Sequence, residues 1–182
     1  MEKENQRIII TKKLLKEGLL KLLKKKNVDK ITVTELCEEA GINRATFYRH
    51  YSVPVDVLID IEEDLTKGAE MYLLPISESG HGEMILSLCR FIYENAEIIR
   101  TLIKNKSDEY LTKLIKQFYH TLLEFRSRAK ELDGYDVESL KLISAYFAGG
   151  AYYMLKAWIT EGVKKTPEEM AALIMRFIDR LI

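Results

Sequence analysis

Apolar residues return every three or four positions along most of the chain. Leu15, Leu19, Leu22 and Leu23 form one such series, and Leu111, Leu114, Ile115, Phe118 and Leu122 form another. This is the spacing of one face of an α-helix, and no run sustains the strict alternation of a half-buried strand. The breaks fall where turn-forming residues cluster, at "KNVDKIT", "GIN", "YSVP", "LLPISESGHGE", "NKSD", "LDGYD" and "EGVKKTPEE". They leave about nine helices of ordinary length and predict an all-α fold. There is no internal repeat and no low-complexity segment. The stretch Pro75 to Gly82 is the most loop-like, but it follows a helix expected to open near Pro54. The module boundary is therefore expected at the turn of Ser52 and Val53, dividing the chain into residues 1–52 and 53–182.

The strongest local signals lie just before that boundary. Thr32 and Glu35 have the spacing of a capping box, in which each side chain satisfies a backbone donor at the start of a helix. A short helix is thus predicted over Val33 to Ala40, with Leu36 and Cys37 turned inward. Gly41 can adopt the left-handed conformation that stops it, and Asn43 is a good N-cap for a second short helix from Arg44 to about Tyr51. Two short helices joined by a glycine-containing turn make a helix-turn-helix.

Composition bounds what such a module belongs to. With 182 residues and 47% hydrophobic content, the chain can build a packed core. No apolar run approaches the roughly 20 residues of a membrane span, and no signal-peptide pattern opens the chain, so an intracellular, cytoplasmic protein is expected. Cys37 and Cys89 have no partner spacing for zinc or a disulfide scaffold and read as buried thiols. No metal or cofactor site is expected. The formal net charge is zero, yet residues 1–52 carry 12 Lys+Arg against 7 Asp+Glu, while residues 53–182 carry 16 against 21. The basic module calls for an anionic partner, and DNA is the obvious one, since each neutralised phosphate releases counterions.

A helical wheel at about 100° per residue sorts the second short helix. Phe47 and Tyr51 share one face and, with Ile42, are expected to close a small core on Leu36. Ala45, Thr46 and Arg49 lie opposite, flanked by Arg44 and Tyr48 on one side and His50 on the other. A major groove admits such a helix, with Arg paired bidentately to guanine and Ala or Thr against a thymine methyl. A merely solvated face would account for two arginines. It requires neither an exposed tyrosine beside an alanine, nor the capping box, the glycine turn and the basic module together.

These residues carry a resemblance. "ITVTELCEEAGINRATFYRHY" resembles the DNA-binding segment of the TetR family of bacterial transcription regulators, over about the first third of the chain. The tail "YFAGGAYYMLKAWITEGVKKTPEEMAALI" resembles the C-terminal region of the subgroup that includes dihydroxyacetone kinase regulators. The resemblance implies a three-helix DNA module on a helical ligand-binding and dimerisation body, a homodimer on a palindromic operator, and roles by position. Thr32 and Thr34 stand where the family touches phosphate. Arg44, Ala45, Thr46 and Arg49 stand at base-facing or adjacent positions, and Tyr48 and His50 at backbone-contact positions. One position departs: the family commonly has a lysine opening its fourth helix, and this chain has Pro54. Proline cannot donate to phosphate, so Arg7 or a lysine of the first helix is the expected substitute.

The body is less explicit. Tyr93, Tyr119, Tyr146 and Trp158, within a wider set that includes Tyr72, Tyr110, Tyr152 and Tyr153, are the candidates to line a pocket for an unknown small-molecule effector, with core packing the simpler role for any one of them. His120 reads as a half-buried surface histidine. Gly149 and Gly150 inside a helical pattern imply close approach of another helix or of a ligand. Leu155, Trp158, Leu173, Phe177 and Leu181 are the candidates for a two-fold helical interface. An enzyme is disfavoured, because no phosphate loop, nucleophile elbow, H-E-x-x-H or placeable carboxylate pair is present. The expectation is a sequence-specific regulator, a repressor released by its effector; the alternative is a regulator of the same fold that acts through a protein partner.

Overall fold

The computed structural model describes residues 2–73, 81–105, 112–113, 115–116 and 136–181. Among these residues the chain forms eight α-helices and one 3-10 turn, with no strand. The helices are α1 (Glu2–Leu23), α2 (Val33–Ala40), α3 (Arg44–Phe47), α4 (Pro54–Leu73), α5 (His81–Glu94), α6 (Ala96–Lys104), α7 (Val137–Thr160) and α8 (Pro167–Leu181). Val28–Lys30 is the 3-10 turn between α1 and α2. Two compact units are formed, Met1–Leu65 and Thr66–Ile182, with the division falling inside α4.

In the first unit the leucine series does what its spacing demands. Leu15, Leu19, Leu22 and Leu23 of α1 are buried, together with Ile31, Leu36, Cys37, Phe47 and Tyr51 and, on α4, Val57, Leu58, Ile61 and Leu65. Each such side chain contributes about 1.5–3 kcal/mol by leaving water. α1 and α2 approach closely at Gly18, where a Cβ would stand 3.1 Å from the Ala40 Cβ and 3.2 Å from its amide nitrogen. The glycine is there for want of room.

The second unit packs α8 against α5. Met170, Ala171 and Ile174 on α8 are buried, as are Met84, Ile85, Leu88, Cys89, Phe91 and Ile92 on α5. Two polar clamps tie helices of this unit together, α5 to α8 and α6 to α7. Arg90 meets Glu168 at 3.1 Å, and the Arg100 Nε donates to the Ile159 carbonyl at 2.8 Å, placing a cation at the carbonyl end of α7. A second capping box, Thr166 with Glu169, opens α8. Tyr110, Tyr119 and His120 lie outside the described residues, as do the side chains of Tyr72 and Leu181.

Candidate nucleic-acid interface

The helix-turn-helix is built from the caps that the sequence announces. Thr32 accepts from the Glu35 amide at 3.2 Å while the Glu35 carboxylate accepts from the Thr32 amide at 2.9 Å. Gly41 ends α2 with φ 66°, in the left-handed region, and the Asn43 side chain accepts from the Ala45 amide at 2.8 Å to start α3. The regular part of α3 is a single turn, Arg44–Phe47, shorter than the helix to Tyr51 that the wheel assumes. Backbone bonds nevertheless continue, from the His50 and Tyr51 amides to the Phe47 carbonyl, so the outward face persists past the helix proper. Phe47 and Tyr51 are buried with their rings 5.9 Å apart, and Ile42 is half-buried.

The opposite face is open. Arg44, Ala45, Tyr48 and Arg49 are exposed, and Thr46 and His50 are half-buried. Thr32 and Thr34 are exposed at the start of α2. Their hydroxyls are not equivalent, because that of Thr32 already donates to Glu35 at 3.0 Å. Glu35 is itself held by Lys26 at 2.5 Å, which with the Thr32 bonds brings its carboxyl down to about 2. An anion approaching Thr32 therefore meets a committed hydroxyl beside a carboxylate.

A polar cluster behind this face could not be read from the sequence. The Asp60 carboxylate on α4 accepts from the Tyr51 hydroxyl, from Lys12 at 3.0 Å and from Lys16 at 3.1 Å. Lys16 also reaches Asp64 at 2.5 Å, and Lys12 lies 5.3 Å from the centroid of the Tyr51 ring. Two of the α1 lysines, the group expected with Arg7 to supply a substitute for the anchor missing at Pro54, are thus engaged by acidic residues of α4, whereas Arg7 is exposed. The missing signal was tertiary, since the pairs are 44 to 48 residues apart. The joint itself is tight: Asp56 accepts from the amides of Ser52 at 2.7 Å and Val53 at 3.0 Å, giving α4 a cap from its own first turn.

Family models match both parts of the chain. That for bacterial regulatory proteins of the tetR family covers residues 17–52, and that for a transcriptional regulator C-terminal region covers residues 82–180, more than half of the sequence. The chain belongs to the TetR family. It is a DNA-binding transcriptional regulator. Among relatives, it is 35% identical over 54 residues to the uncharacterised HTH-type transcriptional regulator YxbF of Bacillus subtilis (strain 168), a match spanning 30% of this chain and only 14% of that protein. Among solved structures, the dihydroxyacetone kinase operon activator DhaS superposes with a TM-score of 0.68 at 18% identity, covering 96% of this chain and 97% of that one. Thermus thermophilus FadR, a TetR-family repressor in complex with lauroyl-CoA, gives 0.54 at 16%, covering 92% of both. These two likenesses establish the fold.

In the body of this TetR-family protein the expected pocket and interface residues separate by burial. Tyr146 is 69% exposed on α7. Trp158 is buried and its indole N–H already donates to the Lys165 carbonyl at 3.1 Å, so it has a ring face but no free donor to offer a ligand. Tyr93 is partly exposed, its ring 6.2 Å from that of Trp158. Leu155 and Trp158 are covered within the single chain and present no surface to a second copy, while Leu173 is half-buried and Phe177 is 53% exposed. α7 is apolar nearly all round, so its sequence marks no single inward face.

Among the described residues no helix is long and apolar enough to cross a membrane, and no group of three or more acidic, histidine or cysteine side chains could hold a metal ion.

Proposed function

We propose that this chain is a repressor that reads a palindromic operator as a homodimer and releases it when a small, largely apolar molecule enters its body. Residues 1–52 form the reading module and residues 53–182 the effector and dimerisation body, with the first turns of α4 packed on the former. Arg44 and Arg49 read base edges beside Ala45 and Thr46, and Thr34, Tyr48 and His50 contact the phosphate backbone. Arg7 takes the place of the lysine missing at Pro54. The protein works in the cytoplasm, where the DNA is, and catalyses no reaction. The observation that carries this reading is the outward, donor-rich face of α3, held by buried Phe47 and Tyr51 on its inner side.

The effector half of the proposal is supported by the ligand-bound state of the structurally similar FadR, which holds lauroyl-CoA. Only Ser52 and Val53 separate Tyr51 from α4, which is unbroken to Leu73, so it can carry a ligand-driven shift to the reading head. The test is a mobility shift on DNA upstream of the protein's own coding sequence, with and without a metabolite panel that includes lauroyl-CoA. Any ligand that acts is then titrated calorimetrically in the presence and absence of operator. Coupling of this kind is reciprocal and amounts to ~1–3 kcal/mol, so operator should weaken the ligand by the factor that the ligand weakens operator. Equal affinities would remove that molecule as effector. A shift that no small molecule alters would favour the protein-partner alternative.

A further inference from the structure

α3 is one helical turn, too short to be stiff by itself. Its stance must be imposed by what its ends hold. Phe47 anchors it in the core through apolar contacts, which resist removal but tolerate small rotations. Tyr51, two residues beyond Arg49, supplies the directional bond, because its hydroxyl donates to Asp60. A phenylalanine would fill the same buried space without needing a partner.

The partner is held in turn. Lys12 and Lys16 approach the Asp60 carboxylate from α1, and Asp60 is only 16% exposed in its side chain. Partly burying such an ion cluster is a poor way to gain stability, since a well-packed apolar cluster often does as well, but it fixes one geometry where apolar contacts permit several. The covalent path from Tyr51 to α4 is short, and its two amides are bonded to Asp56. Tyr51, the joint, the first turns of α4 and Asp60 thus close a small ring that α1 locks through two lysines.

We propose that Asp60 is a positioning residue for operator recognition: through the Tyr51 hydroxyl it fixes the angle at which Arg44 and Arg49 meet the bases, without touching DNA itself. This rests on the assignment of those arginines to base readout. Bidentate recognition needs placement within roughly 0.5 Å and 10–20°, whereas contacts to phosphate by long side chains tolerate more. Loss of the lock should therefore reduce discrimination rather than general attraction to DNA.

The experiment compares full-length wild type with Tyr51→Phe, Asp60→Asn, Asp60→Glu and the double variant Tyr51→Phe/Asp60→Asn. Each is measured on the selected operator and on unrelated DNA at one salt concentration, with circular dichroism to follow folding. Tyr51→Phe and Asp60→Asn should each lower the ratio of specific to non-specific affinity roughly tenfold, the size of a lost hydrogen bond to a charged group. Affinity for unrelated DNA should change by less than about twofold, because phosphate contacts carry it. The double variant should be no worse than Asp60→Asn alone, since both delete the same contact, and Asp60→Glu should recover part of the ratio. If Asp60→Asn fails to fold, Tyr51→Phe decides alone, because it removes a single oxygen. A wild-type ratio in folded Tyr51→Phe, or losses that simply multiply in the double variant, would overturn the proposal. Arg49→Ala judges the underlying reading separately: an unchanged base preference there would remove the readout assignment and leave the Tyr51→Phe ratio to report on the lock.

Discussion

A guanidinium conveys sequence information only when its two donors meet one base edge; otherwise it is a mobile charge. Arg44 on α3 and Arg49 in the turn just beyond it are exposed, and Tyr48 is 54% exposed beside them. Arg44→Ala and Arg49→Ala should change which base pairs are preferred, at ~1–3 kcal/mol per lost bidentate contact. Tyr48→Phe should weaken all sequences alike, since contacts to the backbone position the protein without specifying sequence. Binding-site selection distinguishes the two, and a wild-type motif from both arginine variants would contradict the assignment. Asp60 gives a second expectation at this scale. Burial would raise its carboxyl, but the bonds from Tyr51, Lys12 and Lys16 prevail and bring it from 3.8 to about 2. A depressed folded value means stability that is present above the ordinary value and lost as pH falls through the folded one. The contribution is at most about 2 kcal/mol, less where water screens the ions. Acid unfolding should show Asp60→Asn less stable than wild type near neutrality, with the gap closing between about pH 4 and pH 2; a constant gap would assign the loss to packing.

At the scale of elements, what was legible in the sequence is what is local. The Thr32 and Glu35 capping box, the left-handed Gly41 and the Asn43 cap each depend on residues within four positions, and each forms as its spacing requires. α2 and the start of α3 follow from them. Elements that owe their form to distant partners were not legible. The ion cluster of Lys12, Lys16 and Asp60 exists only once α1 and α4 lie together, and no spacing announces it. The length of α3 was overestimated because the wheel continues through Tyr51, whereas the regular helix stops at Phe47 and the chain tightens toward the joint. Gly18 shows the same dependence on partners. In isolation it is a poor helix residue, yet Ala40 leaves almost no space for a Cβ there. Gly18→Val should destabilise the first unit by about 1–3 kcal/mol through overpacking against the α2 backbone, seen as a lowered thermal midpoint. A midpoint at or above that of wild type would mean that α2 can withdraw at little cost.

At the scale of the whole molecule, α7 poses the main question of assembly. Leu155, Trp158 and Ile159 are buried on one side, while Leu142, Tyr146 and Tyr153 are exposed at 68%, 69% and 72% on the other. Gly149 and Gly150 lie along the exposed stripe, and a Cβ at either would meet nothing within 4 Å among the described residues. A helix apolar all round is ordinarily buried all round, and small residues flanked by aromatic ones permit close approach of a second backbone. If a second copy covers this stripe, Tyr153→Glu should produce a monomer, because a charge in an apolar interface cannot be solvated without opening it. Gly150→Trp should do the same by filling the gap, with no effect on the folding of the single chain. Phe177→Glu probes α8 independently. Paired half-sites lie about 34–36 Å apart and reward only a dimer, so each monomeric variant should lose operator affinity while keeping its affinity for a single half-site. Sedimentation is the direct measurement. Dimers in Tyr153→Glu and Gly150→Trp with a monomer in Phe177→Glu would move the interface from α7 to α8, and dimers in all three would exclude both helices.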